Sequence, residues 1–146
     1  MKNKLYIING PNLNLLGTRE PEKYGQTTLQ DIKNLCLEKC DVHNFELHFF
    51  QSNAEGSLID EIHKSINDGA GIIINAGALT HTSIGILDAL SMFKGPKIEI
   101  HITNVYAREN FRHKSYISPV ATGIIAGLGI NSYLLAIEAI KNLIGD

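Results

Sequence analysis

The chain has 146 residues, of which 44% are apolar, 7% aromatic and 19% charged, and these proportions describe a globular chain with one hydrophobic core. Its formal charge of -2 gives no basic excess for a nucleic-acid backbone or an anionic membrane, so we expect neither partner. The first nine residues hold only four consecutive apolar residues, whereas a membrane span needs ~20. We therefore expect a cytoplasmic protein, in which Cys36 and Cys40 are buried reduced thiols.

Five short apolar runs, of the kind buried on both faces of a parallel sheet, alternate with segments of helical periodicity. The predicted strands are residues 5–9, 45–50, 71–74, 97–102 and 123–126. The apolar stripes between and after them contain Leu29, Ile32, Cys36 and Cys40, then Leu58, Ile59, Ile62 and Ile66, then Ile84, Leu87 and Leu90, and finally Leu134, Ile137, Ile140 and Ile144. The alternation predicts a single α/β domain over residues 1–146, with a flavodoxin-like, doubly wound, five-stranded parallel sheet of order 2-1-3-4-5.

In such a sheet, ligands bind beyond the carboxyl ends of the strands, where the winding direction reverses. This places a site after the first, third and fourth strands. The loop of residues 10–25 after the first strand is much longer than the usual ~2–6 residues, which is typical of a functional lid. It contains Arg19 and Tyr24, but neither a Rossmann nor a P-loop glycine pattern.

The chain has only three arginines, Arg19, Arg108 and Arg112, and all lie in segments that we predict to be loops. The planar guanidinium group binds carboxylates and phosphates through two parallel hydrogen bonds. The arginines therefore favour a small anionic ligand, and salt bridges at the rim of a site are the alternative.

The fourth predicted strand alternates strictly, so Glu99, His101 and Thr103 point to one face of the sheet. Glu99 and His101 are then neighbours, ~6.6 Å apart along the strand. Buried polar groups are costly unless they satisfy each other, and a carboxylate that orients an imidazole makes a proton donor. The pair therefore indicates an acid for catalysis, and a purely structural histidine is the alternative.

After the third strand, Asn75 precedes residues 80–83, which we predict to begin a helix with free N–H groups for an anion. His81 and Asp88 would lie two turns apart on that helix, too far to share one small ligand. Asp88 is then either a solvated residue or part of a pocket completed by a second subunit.

Two other chemistries are disfavoured by the residue types at the strand ends. Asn9 and Asn75 stand where a phosphoacceptor receiver domain needs acidic residues, and the six histidines are scattered. We expect a site without metal or cofactor that moves protons on an anionic substrate.

Five segments in one order resemble type II 3-dehydroquinate dehydratase: NGPNLNLLGTREPEKYG (9–25), QSNAEGSLIDEIH (51–63), GALTHTSIGILDAL (77–90), EIHITN (99–104) and ARENFRHKS (107–115). The resemblance runs from about residue 4 to residue 144. It implies a flavodoxin-like fold, a homododecamer built as a tetramer of trimers, and dehydration of 3-dehydroquinate to 3-dehydroshikimate. That reaction belongs to aromatic amino-acid biosynthesis in the shikimate pathway or to quinate breakdown.

The resemblance also implies roles for individual residues. Tyr24 would remove the proton next to the ketone, and Arg19 would stabilise the ionised tyrosine. His101, held by Glu99, would protonate the departing hydroxyl, and Asn12 would stabilise the enolate through an ordered water. The substrate-binding residues would be Asn75, His81, Arg112, the backbone around Ile102 and Thr103, and Asp88 of a neighbouring subunit, with Arg108 supporting them.

The sequence departs from the family pattern at Thr103, where serine is usual, and at Ala76, where proline is frequent. Thr103 keeps the hydroxyl, so we expect little effect on substrate binding. Two alternatives remain at this stage. A Schiff-base dehydratase needs a lysine at a strand's carboxyl end, but Lys97 begins its strand. The second alternative is a non-catalytic flavodoxin-like module that binds a small anion or a partner protein.

Overall fold

The computed structural model describes residues 2–18, 22 and 26–145, in which strands and helices alternate along the chain. The strands are β1 (Asn3–Asn9), β2 (Phe45–Gln51), β3 (Gly69–Asn75), β4 (Lys97–His101) and β5 (Gly123–Ala126). The α-helices are α1 (Leu29–Val42), α2 (Glu55–Asp68), α3 (Ile84–Ser91) and α4 (Asn131–Ile144). No helix in the described part of the chain is long and apolar enough to cross a membrane.

The strands form one parallel sheet of order β2-β1-β3-β4-β5, so the predicted fold and strand order are confirmed. The winding direction reverses at β1 and β3, whose carboxyl ends pair Asn9 with Asn75. β4 ends at His101, one residue before the predicted end. The carbonyl of Ile102 instead accepts the N–H of Gly129 at 3.0 Å, which turns the backbone out of the sheet.

The hydrophobic core has two parts, one on each face of the sheet. Helices α1 and α4 supply Cys36, Tyr133 and Ile137 to one face, and α2 and α3 supply Leu58 and Leu90 to the other. The predicted burial of both cysteines is confirmed, and burial raises the pKa of each thiol to about 12. A thiol that stays protonated in an apolar environment is unreactive, so these cysteines contribute to packing.

The segment after β3 differs from the sequence prediction. A 3-10 turn spans Gly77–His81 and α3 begins only after Ser83, so His81 does not lie on the helix that carries Asp88. The Ser83 hydroxyl accepts the N–H three residues ahead at 2.9 Å, while its own N–H donates to the carbonyl of Leu79. Ser83 thus caps the start of α3, within the predicted residues 80–83, and the N–H groups of Ser83 and Ile86 are bonded within the chain. An anion at the remaining N–H groups of the helix start stays a prediction.

Candidate active site

A cleft of about 220 Å³ opens at the carboxyl ends of β1, β3 and β4, where the fold predicts a ligand site. This volume lies below the ~300–1,000 Å³ of pockets for drug-sized ligands and suits a small molecule. The described residues that line it are Pro11, Asn12, Leu13, Asn75, Gly77, Ala78, His81, His101, Ile102, Thr103, Val105, Arg108 and Arg112.

His101 and Glu99 make the buried contact that the alternation of β4 predicted. The Nε2 of His101 lies 2.5 Å from Oε2 of Glu99, and the two residues are 7% and 2% exposed. An ionised carboxylate can only accept, so Nε2 carries the hydrogen of this bond. Nδ1 is then the ring nitrogen left for a ligand in the cleft.

Two serines that sequence reasoning did not identify complete the environment of Glu99. The Ser115 hydroxyl donates to Oε2 at 3.0 Å, and the Ser118 hydroxyl donates to Oε1 at 2.5 Å. Burial by itself raises the pKa of Glu99, but the hydrogen bonds from His101, Ser118 and Ser115 outweigh it and lower the pKa below its ordinary value. Glu99 is therefore ionised at neutral pH.

His81 faces the same cleft from the 3-10 turn after β3. Its ring lies nearly parallel to that of His101, with the ring centroids 6.4 Å apart. Nδ1 lies 2.7 Å from the carbonyl oxygen of Lys114, and because a carbonyl only accepts, Nδ1 must be the protonated nitrogen. The backbone thereby fixes the tautomer of His81, and Nε2 is the nitrogen that can meet a ligand.

Arg108 and Arg112 line the same cleft and bring positive charge to it. Arg112 donates through Nε to Oε1 of Glu109 at 2.8 Å, and Arg108 donates through a terminal nitrogen to the hydroxyl of Thr103 at 3.3 Å. The pKa of Glu109 falls to about 2, through a hydrogen bond from its own backbone N–H and another from Arg112. The arginines do form contacts at the rim, as the alternative interpretation required, but both also line the cleft.

Asn12 lies in the loop after β1 and has an unusual backbone conformation. Asn12 has a φ of 71°, in the left-handed region that asparagine tolerates better than most residues, and its N–H donates to Oδ1 of Asn53 at 2.9 Å. Gly10 allows the chain to approach β3 there, because a Cβ at Gly10 would lie 2.3 Å from the carbonyl oxygen of Ala76. These contacts set Asn12 at the edge of the cleft.

The structure brings together most of the described residues that the sequence analysis selected. Glu99 lies behind His101, and Asp88 is exposed on α3 and does not line the cleft of its own chain. Arg19 and Tyr24 lie outside the described residues. The selected residues that line the cleft are Asn12, Asn75, His81, His101, Ile102, Thr103 and Arg112.

The lysine that a Schiff-base mechanism would require is not found among the described residues of the cleft wall. Lys97 is the first residue of β4 and so lies at the amino end of the strand, away from the cleft. Its Nζ donates to the carbonyls of Leu90 and Phe93 at 2.9 and 2.8 Å. Its ammonium group is therefore committed to the end of α3.

Comparison with known proteins assigns the chain to a family. The family model for dehydroquinase class II matches residues 3–141. The chain belongs to this family. The resemblance stated from the sequence motifs is thus confirmed.

Two named relatives and a solved structure are similar to the chain over most of its length. The chain is 52% identical to 3-dehydroquinate dehydratase of Dinoroseobacter shibae, over 92% of this chain and 89% of that protein. It is 54% identical to the catabolic 3-dehydroquinase of Candida albicans, over 97% of this chain and 99% of that protein. The crystal structure of type II dehydroquinase from Butyrivibrio crossotus superposes with a TM-score of 0.93 at 44% identity, covering 96% of this chain and 98% of that chain.

Proposed function

We propose that this chain is a lyase that dehydrates 3-dehydroquinate to 3-dehydroshikimate in the shikimate pathway, acting in the cytoplasm as a single catalytic domain of residues 1–146. The observation that carries the proposal is the buried Glu99–His101 pair, which opens into a small cleft with Arg108 and Arg112 on its wall. An oriented proton donor beside two cations suits acid–base chemistry on a carboxylate-bearing substrate. Membership of the class II dehydroquinase family supports the choice of substrate.

The proposed reaction is an anti elimination in two proton transfers. The Tyr24 phenolate takes a proton from the carbon next to the ketone, and the electron pair of the broken C–H bond forms an enolate. The enolate collapses to the ketone and expels the β-hydroxyl, while Nδ1 of His101 donates a proton and the hydroxyl leaves as water. Arg19 stabilises the phenolate, and Asn12 stabilises the enolate oxygen through an ordered water.

The remaining residues of the cleft bind the substrate in this proposal. Arg112 and the backbone near Ile102 and Thr103 bind the carboxylate, and Asn75 and His81 bind hydroxyl groups. His81 is well suited to accept a hydroxyl proton through Nε2, because its Nδ1 hydrogen is already used by the carbonyl of Lys114. Thr103 places a hydroxyl in the cleft, and this hydroxyl accepts a hydrogen bond from Arg108.

The decisive experiment is to incubate the purified protein with 3-dehydroquinate and follow the ultraviolet absorbance of the conjugated enone. We expect the absorbance to rise, and we expect borohydride added with the substrate to leave the activity intact, since no imine is formed. Binding of 3-dehydroquinate without enone formation would support the non-catalytic module instead. Inactivation by borohydride that depends on substrate would support a Schiff-base enzyme.

We further propose a homododecamer, built as a tetramer of trimers, in which Asp88 reaches the cleft of a neighbouring subunit. Asp88 is exposed on α3, and Ile84 and Met92, one helical turn to either side, are 59% and 51% exposed. Such an exposed apolar stripe around a carboxylate favours a contact between subunits.

The assembly is tested by mass and by mixing variants. Light scattering is expected to give the mass of twelve chains. Coexpressed Asp88→Ala and His101→Ala chains should have more activity than the sum of the two variants alone, because some mixed sites contain both residues. A monomer mass, or additive activities, would contradict the shared site.

The serine contacts of Glu99 predict a shift in pH dependence. Ser118→Ala removes a hydrogen bond to ionised Glu99, which raises the pKa of that carboxyl relative to the unaltered protein. Glu99 then protonates at higher pH as the solution is acidified, so the acid limb of the kcat profile should move to higher pH. Folding stability should follow, because a lowered carboxyl pKa stabilises the fold above the unfolded pKa, and this stabilisation is lost as the pH falls through the folded pKa.

Ser65→Ala is the matched control for this experiment. Ser65 is fully buried and donates its hydroxyl to the backbone carbonyl of Ile62 at 2.6 Å, but it lies in α2 away from the cleft. Its loss should leave the acid limb in place. The same acid limb in Ser118→Ala and in the unaltered protein would show that Ser118 does not tune Glu99.

A further inference from the structure

A chain of buried hydrogen bonds runs beneath the cleft from β2 to the turn after β3. The side-chain amide nitrogen of Asn9 donates to the carbonyl of Phe50 at 3.1 Å, and the hydroxyl of Tyr133 donates to Oδ1 of Asn9 at 2.6 Å. The side-chain amide nitrogen of Asn75 donates to the hydroxyl oxygen of Tyr133 at 3.1 Å. The side-chain oxygen Oδ1 of Asn75 accepts the N–H of Gly77 at 3.3 Å. Asn9 and Tyr133 are completely buried, and Asn75 is 4% exposed.

The direction of every bond in this chain is fixed by the backbone groups at its ends. The Phe50 carbonyl can only accept, so Asn9 turns its nitrogen to it and its oxygen to Tyr133. Tyr133 has one hydroxyl hydrogen and gives it to Asn9, so its oxygen can only accept from Asn75. The N–H of Gly77 can only donate, which agrees with an Asn75 oxygen on that side.

Asn75 is therefore held in one of its two amide orientations before any ligand arrives. An amide nitrogen has two hydrogens, and Tyr133 uses one of them. Because Asn75 lines the cleft, the second N–H remains for a ligand oxygen. Burial raises the pKa of Tyr133 above its ordinary value, so its hydroxyl stays protonated and each hydrogen bond keeps its direction.

We propose that Tyr133 is a positioning residue, which together with Asn9 presents the Asn75 amide as a hydrogen-bond donor and thereby favours ligands with a carboxylate or hydroxyl oxygen at that point. This inference rests on the proposed function, since it concerns substrate binding in the same cleft. Tyr133 acts through Asn75 and not on the reacting atoms, so its effect belongs to KM more than to kcat.

A double-mutant cycle tests the proposal, with Tyr133→Phe and Asn75→Ala made singly and together. Tyr133→Phe removes the acceptor of one Asn75 side-chain N–H and leaves only the 3.3 Å bond from Gly77 to hold the amide, so we expect KM for 3-dehydroquinate to rise about 10-fold, the size of one lost hydrogen bond, with a smaller change in kcat. In the Asn75→Ala background the same change should alter KM less than about 2-fold, because the group that Tyr133 positions is gone. Equal effects in both backgrounds, or none in either, would overturn the proposal.

Tyr6→Phe separates positioning from a general loss of stability. Tyr6 is 3% exposed, and its hydroxyl donates at 2.6 Å to Oδ1 of Asp68, the last residue of α2. Its loss should lower the unfolding temperature and leave KM unchanged. A Tyr133→Phe variant that behaves in the same way would assign Tyr133 a structural role only.

Asn9→Ala provides a second variant if Tyr133→Phe does not fold. It removes the acceptor of the Tyr133 hydroxyl, which then donates to the Asn75 oxygen and turns the amide, so KM should again rise in a manner that depends on Asn75. An unchanged KM would overturn the proposal. Absence of turnover in the unaltered protein would contradict the proposed function itself, whereas turnover there with an unchanged KM in these variants contradicts only the inference.

Discussion

Replacing His101 by alanine is expected to lower kcat for 3-dehydroquinate by ~10²-fold or more, the usual scale for loss of a positioned acid. KM should change much less, because His101 gives its proton to the leaving hydroxyl in the transition state. Steady-state measurement of enone formation checks both constants. The variant should still fold, since the cavity it leaves lies at the end of β4 and not in the apolar core.

The physical basis is the geometry of the pair. Glu99 accepts the Nε2 hydrogen at 2.5 Å, and the two serines hold the carboxylate in its ionised form. The side chains of His101 and Glu99 are 8% and 2% exposed, so screening by water between the two groups is weak. Proton donation from Nδ1 then needs no rearrangement of the ring, because β4 and Glu99 already set its orientation.

The chain contains a matched control on another strand. Glu46 and His48 have the same spacing in β2, with Nε2 of His48 2.8 Å from Oε2 of Glu46, but their side chains are 50% and 34% exposed. His48→Ala should leave kcat and KM unchanged. If His101→Ala retained nearly the kcat of the unaltered protein, His101 would not be the acid.

The fold could be predicted because strands buried on both faces have a direct signature in the sequence. The run GIIIN at the end of β3 is continuous, while β4 alternates and so places Glu99 beside His101. The placement of Glu99 beside His101 follows from the two-residue period of a strand, which no distant contact alters. Strand ends were less predictable, since they depend on which loop carbonyl or N–H is nearby.

The supporting residues of the site could not be predicted, because they act across long separations. Ser115 and Ser118 contact Glu99 through a loop whose turns have no periodic pattern, and Tyr133 occupies an ordinary position on the buried face of α4. Asn9 and Asn75 end β1 and β3, but the sequence analysis used the pair only to disfavour a receiver domain and did not identify the network that joins them to Tyr133. A buried polar residue at a strand end is thus a reason to search the covering helix for a hydroxyl.

Tyr24→Phe is expected to lower kcat by ~10²-fold or more, because it removes the base that begins the elimination. An ordinary phenol has a pKa near ~10, so its ionisation near neutrality needs about 3–4 kcal/mol of stabilisation. A cation at ~4 Å in a medium of effective dielectric ~20 supplies about 4 kcal/mol, which is the role proposed for Arg19. Tyr24 and Arg19 lie outside the described residues, so this prediction rests on the family resemblance and on this estimate of charge interaction.

The described residues include other groups that could act as the base in place of Tyr24. Burial raises the pKa of Tyr6 and of Tyr133 above the ordinary value, which disfavours either as a base. His81 is the stronger competitor, because its Nε2 faces the cleft with Nδ1 already used as a donor. If Tyr24 is the base, His81→Ala should raise KM with a smaller loss of kcat, and Tyr106→Phe, at a side chain that is 66% exposed, should change neither constant. The opposite pattern, with kcat lost in His81→Ala and kept in Tyr24→Phe, would make His81 the base.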